Sequence, residues 1–146
     1  MTFDRRLDSA RLALKLGLGL AAFLAGLDKF FGLLADWPRY LAPVIQAALP
    51  VDATTFMWVA GVIEMIVGLA ILTNWTLLGS RVVMVWLLAI AGNLVLSGAF
   101  FDVAVRDVEM AIAAFALSRL TEVEDSAAAI EPVAPAVVTA RRSSAA

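Results

Sequence analysis

Phe56-Met57-Trp58-Val59-Ala60-Gly61-Val62-Ile63-Glu64-Met65-Ile66-Val67-Gly68-Leu69-Ala70-Ile71-Leu72 decides how the rest of the chain is read. The run is apolar from end to end except for one carboxylate, and Asp52, Thr54 and Thr55 just ahead of it are good helix caps. A stretch of this length and character suits a helix dissolved in hydrocarbon. The carboxylate does not suit it, because a charge near the bilayer centre costs roughly 2.5 to 3.5 kcal/mol on insertion scales. Such groups usually face a bundle interior or a watery cavity, so Glu64 raises the question of what it meets.

Three further apolar segments lie around this one, and together they predict an all-α, four-helix transmembrane bundle with spans at about 12–34, 56–73, 82–101 and 103–120. The fourth is the least regular, since Arg106, Asp107 and Glu109 crowd its first turns and its apolar part, Met110 to Leu117, is short. Its small residues still suit close packing against neighbouring helices. Composition agrees with the class: 62% of residues are hydrophobic and mean hydropathy is +0.91, against roughly 45 to 50% apolar usage in soluble domains. At 146 residues the chain holds one such domain. The formal net charge of -2 excludes the broad positive field that nucleic-acid binding requires.

Between the first two spans, Leu41, Val44, Ile45, Ala48 and Leu49 recur at helical spacing around Pro43 and Pro50, which predicts a short interfacial helix, either an amphipathic cap on the bundle or a substrate gate. Residues 1–11 are expected on the cytoplasmic side, and 121–146, rich in Ala, Pro, Ser and charge, as a disordered cytoplasmic tail. Arg5, Arg6, Arg11, Lys15 and Arg81 set both termini in the cytoplasm of an inner (plasma) membrane protein. Trp37 and Trp58 then fall at outer ends of spans, and Trp75 and Trp86 at inner ends, as aromatic belts do. The first segment runs past any cleavage site, so it is read as retained and not as a signal peptide.

Absent residue types restrict the chemistry. Without Cys there is no thiolate, disulfide or Cys-ligated cluster. Without His there is no imidazole for haem, zinc or copper, so no metal site is expected and any redox role must borrow its cofactor. Gly17 and Gly19 follow no strand and complete no phosphate-binding motif, so they are packing positions.

What remains is a set of polar residues inside apolar segments: Lys29, Glu64, Asn93, Arg106 and Asp107. Counting from the predicted outer ends at about 1.5 Å per residue puts Lys29, Glu64, Asn93 and Arg106 within roughly 5 to 12 Å of the outer boundary, where they can share one layer. Lys29 with Glu64 is the expected pair. Gly26 and Gly61 each precede one of them by a helical turn, and Gly92 adjoins Asn93, so each polar group has a position nearby where backbones can approach. Asp28 and Glu109 read more simply as headgroup-layer or capping residues. The cluster is either an ionic staple that orders the helices or a binding or proton-handling site.

Arg11 with Gly17 and Gly19, then Gly26-Leu27-Asp28-Lys29-Phe30, then Gly61 to Gly68, then Arg106-Asp107 opening the last helix, resemble the DoxX/DoxD family of small four-helix membrane proteins over roughly Arg11 to Leu120. That resemblance implies a role beside quinone-linked oxidation of sulfur compounds or thiols, with Lys29, Glu64, Arg106 and Asp107 as the matching polar residues. Lacking cysteine, this chain can run no thiol relay of its own. Three functions follow as expectations: an auxiliary, non-catalytic subunit of a redox assembly that takes a quinone in its polar pocket, a solute or proton transporter, or a scaffold. The partners expected are the lipid bilayer, a redox protein and further copies of the chain.

Overall fold

The structure is a computed structural model that describes residues 5–130. Every regular element of the described chain is helical: α1 (Arg5–Asp28), a 3₁₀ turn (Trp37–Tyr40), α2 (Pro43–Ala48), α3 (Ala53–Leu72), α4 (Thr76–Ser97) and α5 (Phe101–Ile130). Three of these, α1 from Arg6, α3 and α4, are long and apolar enough to cross a membrane. This is the signature of a membrane protein. α5 does not qualify by composition, because Asp102, Arg106, Asp107 and Glu109 fall within its first turns.

The four long helices form a closed ring in which α1 packs along α3 and α4 along α5, with α3 against α4 and α1 against α5 completing it. Small residues permit the first of these pairings. Gly19 lies against Gly68 and Gly26 against Gly61, so two pairs of glycines meet backbone to backbone two turns apart on antiparallel helices. Inside the ring, Leu18, Ile71, Val83, Leu87, Ala111, Ala114 and Leu117 form the larger apolar cluster. A second, made by Ala91, Leu94 and Ala104, is closed by Tyr40 and Phe100, whose rings stand 4.6 Å apart. Buried Thr76, Ser118 and Thr121 return their hydroxyls to main-chain carbonyls one turn or so back, so none needs a partner helix.

Several segment boundaries differ from the sequence reading. α1 ends at Asp28 and not near Leu34, because Gly32 takes a left-handed φ of +64° and the Asp28 carboxylate gathers the amides of Leu33 and Leu34, each at 2.9 Å. That substitution matters in lipid, where an irregular backbone must satisfy its own polar groups. Phe31, Leu33 and Leu34 point outward from the turn, at 66%, 84% and 72% exposed. α3 begins at Ala53, with Asp52 accepting the Thr55 amide as its N-cap. α4 runs from Thr76 and stops at Gly98 in the left-handed region, which leaves Trp86 in mid-helix and not at an inner end.

α5 extends to Ile130, ten residues past the predicted end of the fourth span, so the part of the predicted tail at 121–130 is helix. Its charges hold it: Glu124 pairs with Arg11 of α1 at 2.7 Å, and Glu122 with both Arg81 of α4 and Arg119. Ala127 to Ala129 add strong helix formers. The remainder of the predicted tail, 131–146, and the first four residues lie outside the described residues.

Candidate polar site

Lys29 sits one residue beyond α1, where the chain turns back, and its ammonium reaches Glu64 Oε2 at 2.5 Å. The two side chains are 5% and 8% exposed. Antiparallel glycines make this geometry available. A Cβ on Gly61 would lie 3.1 Å from that of Lys29, and a Cβ on Gly26 would lie 2.9 Å from that of Glu64. Each glycine thus leaves room for the charged side chain that belongs to the opposite helix.

Two indoles complete the pair. Trp86 of α4 donates its Nε1–H to Glu64 Oε1 at 3.1 Å, so both carboxylate oxygens are engaged. Trp37, from the 3₁₀ turn, lays its ring 3.8 Å from the Lys29 ammonium in a cation–π contact. The same indole donates to Asp28 Oδ2 at 2.8 Å, and Asp28 is itself buried. Asp28 therefore does three things: it ends α1, it satisfies the turn, and it fixes the ring that covers Lys29.

Asp107 is the fourth charged group of the interior. It lies on the inward stripe of α5 with Ala104, Ala111 and Ala114. Its side chain is 7% exposed and forms an ion pair with Arg106, Nη2 to Oδ1 at 3.6 Å.

The other two candidates occupy different places. Arg106 is 63% exposed: one residue turns a helix by about 100°, so neighbours in sequence cannot share the inward stripe, and Asp107 holds it. Asn93 does not join the pair. Its Oδ1 accepts the Ala42 amide at 2.9 Å and its Nδ2 donates to the Tyr40 carbonyl at 2.6 Å, so it fastens the connection ahead of α2 to α4. Sequence reasoning passes over Trp37 and Trp86, read as belt residues, and takes Asp28 for a simple cap. The signal available for Asp28 is its position beside Lys29 and ahead of Gly32, where the chain leaves the helix and the loop amides that follow need acceptors.

On the outer face of α4, Val82, Val85, Trp86 and Ala89, with Arg81 at one end, line an open apolar groove of about 390 Å³. Trp86 is shared: one part of its indole walls the groove while its N–H holds Glu64. Among the described residues no group of His, Cys, Asp or Glu could hold a metal ion. Comparison with protein-family models, curated proteins and solved structures finds no match to this chain.

Proposed function

We propose that the chain is a four-span inner-membrane protein with both termini cytoplasmic, and that it serves as a non-catalytic auxiliary subunit of a redox assembly by receiving the head group of a quinone-class lipid at its buried polar cluster. The observation that carries this reading is Trp86, whose N–H binds the buried Glu64 carboxylate while its ring lines an open apolar groove, so that the polar pair and the groove share one side chain. The groove along α4 supports a tailed ligand, because an alkyl chain lying against Val82, Val85 and Ala89 brings its head to Trp86 and hence to Glu64. The resemblance to DoxX-like proteins supports the choice of quinone among tailed ligands.

The test is direct. The full chain, purified in mild detergent, is extracted and its small molecules identified by mass spectrometry, and a short-tailed benzoquinone is titrated while the melting temperature is followed. Saturating ligand at about 100 times Kd stabilises by about 2.7 kcal/mol. Co-purified quinone, or a saturable rise in melting temperature that Glu64→Gln weakens, supports the proposal. No quinone and no saturable shift overturns it.

A further inference from the structure

α1 stops short of the level at which α3 begins. The 20 residues of α3 measure about 30 Å, the thickness of a bilayer's hydrocarbon core, with Asp52 at one end and Thr73 and Asn74 at the other. Two contacts set α1 against that length. Lys15 donates to the Thr73 carbonyl at 2.8 Å and so stands near the Leu72 end, while Gly26 meets Gly61, which lies eight residues, or about 12 Å, in from Ala53. α1 ends two residues after Gly26, at Asp28. From Lys15 it has risen about 20 Å, and it finishes about 9 Å below the start of α3.

The chain that follows is apolar, irregular and uncovered. Leu33, Leu34 and Phe31 are, in that order, the most exposed large apolar side chains among the described residues. Their backbone donors are nonetheless all engaged: Phe30 donates to the Leu27 carbonyl, Phe31 and Gly32 to that of Asp28, and Leu33 and Leu34 to the Asp28 carboxylate. Water supplies acceptors to any turn, whereas hydrocarbon supplies none, which is why bare loops are absent from it. Five consecutive amides answered by Leu27 and Asp28 are what a turn out of water requires. The apolar surface continues onto α3 through Trp58, half-exposed and stacked on Phe30 at 6.3 Å.

We propose that the turn Phe30–Leu34 lies within the hydrocarbon of the leaflet on the N-terminal side of α3, with Phe31, Leu33 and Leu34 against its acyl chains, and that the Asp28 carboxylate makes a non-helical backbone tolerable there. The partner of this surface is lipid tails, and the first crossing is completed by a turn whose amides Asp28 holds. Such an embedding requires only that the chain span the membrane, whether or not the polar cluster takes a head group.

Since the chain has no cysteine, one nitroxide can be placed at a time. Leu33→Cys and Leu34→Cys, each in the full chain in phosphatidylcholine vesicles, are spin-labelled, and their collisions with oxygen, which concentrates in hydrocarbon, are compared with those with a water-soluble nickel chelate. Ile66→Cys, exposed in mid-α3, and Ser126→Cys, exposed near the end of α5, serve as lipid and water references. Oxygen collisions are expected to exceed nickel collisions at 33 and 34, as at 66, and to fall below them at 126. A ratio at 33 and 34 like that at 126 overturns the proposal, and so do labels shielded from both reagents, which would mean that another copy of the chain covers the turn. With Asp28→Ala, which removes both acceptors, nickel collisions at 34 should rise severalfold as water follows the freed amides. Asp28→Asn, which keeps one acceptor oxygen, serves where the alanine variant does not fold, with a smaller rise. Collisions unchanged by loss of the carboxylate overturn the part assigned to Asp28.

Discussion

Gly26 and Gly61 oppose each other so closely that a Cβ on the first would lie 2.5 Å from the carbonyl oxygen of the second, and a Cβ on the second 2.6 Å from that of the first. The contact is backbone on backbone, so neither side can swing away as a side chain would. It sets the separation of α1 and α3 at the level where Lys29 meets Glu64. By contrast Gly17 and Gly92, also within helices, would place a Cβ in open space.

Gly61→Ala and Gly26→Ala are therefore expected to destabilise the protein by about 1 to 3 kcal/mol, the usual cost of forcing extra volume into a packed interface. Gly17→Ala and Gly92→Ala should melt at or above the parent temperature, since Ala favours a helix over Gly. Thermal denaturation of the four variants in one detergent compares them, and equal losses at all four positions would contradict the close approach.

The ion pair makes an asymmetric prediction. Removing one member leaves a charge behind, at a cost of about 3 to 5 kcal/mol for a buried pair, whereas replacing both with apolar groups is often neutral. Lys29→Met and Glu64→Leu should each lower stability sharply, and the double variant should recover most of the loss. A double-mutant cycle measures this. Additive losses would mean that the two groups, 2.5 Å apart, are not energetically coupled.

Asp52 ties one helix start to pH. Hydrogen bonds from the Thr55 amide and hydroxyl hold its carboxyl below the ordinary value of 3.8. A carboxylate whose folded value is depressed contributes stability above its unfolded value and loses that contribution as pH falls through the folded one. Asp52→Ala should accordingly melt lower than the parent at neutral pH, and the gap should shrink as the pH is lowered below about 3.9. A gap that stays constant down to acid pH would show that the charge plays no part in the cap.

The C-terminal end of α5 is held mainly by exposed or half-exposed ion pairs, each worth about 0.2 to 1 kcal/mol and screened by salt. Glu122→Gln with Glu124→Gln, or high salt, is expected to speed amide exchange across Thr121–Ile130 and leave the Lys29–Glu64 level unchanged. Hydrogen exchange with mass spectrometry reads both regions at once. Exchange that rises equally in both would mean that this end and the polar site open together.

Having no cysteine, the chain can be labelled at any one introduced thiol without background. Under the proposed topology, Ser9→Cys should react with an impermeant maleimide only after the membrane is opened, and Gln46→Cys in intact cells. The opposite pattern would invert the orientation, and reactivity of both from one side would remove a span.

Hydropathy is sufficient to find α1, α3 and α4, because lipid demands long apolar runs and few sequences supply them by chance. Charges within those runs are also legible, since hydrocarbon makes each one costly. Which charge meets which is not legible, because it depends on helix rotation and on where a helix stops. Asp107 and not Arg106 faces inward because the Ala104, Ala111 and Ala114 stripe packs that way. Asn93 is drawn off by the Tyr40–Ala42 backbone, whose amide and carbonyl need partners. Trp37 reaches Lys29 only because Asp28 ends α1 early and folds the chain back over it. Periodicity and composition act locally, residue by residue, whereas a buried charge is satisfied by whatever the fold carries to it from elsewhere in the chain.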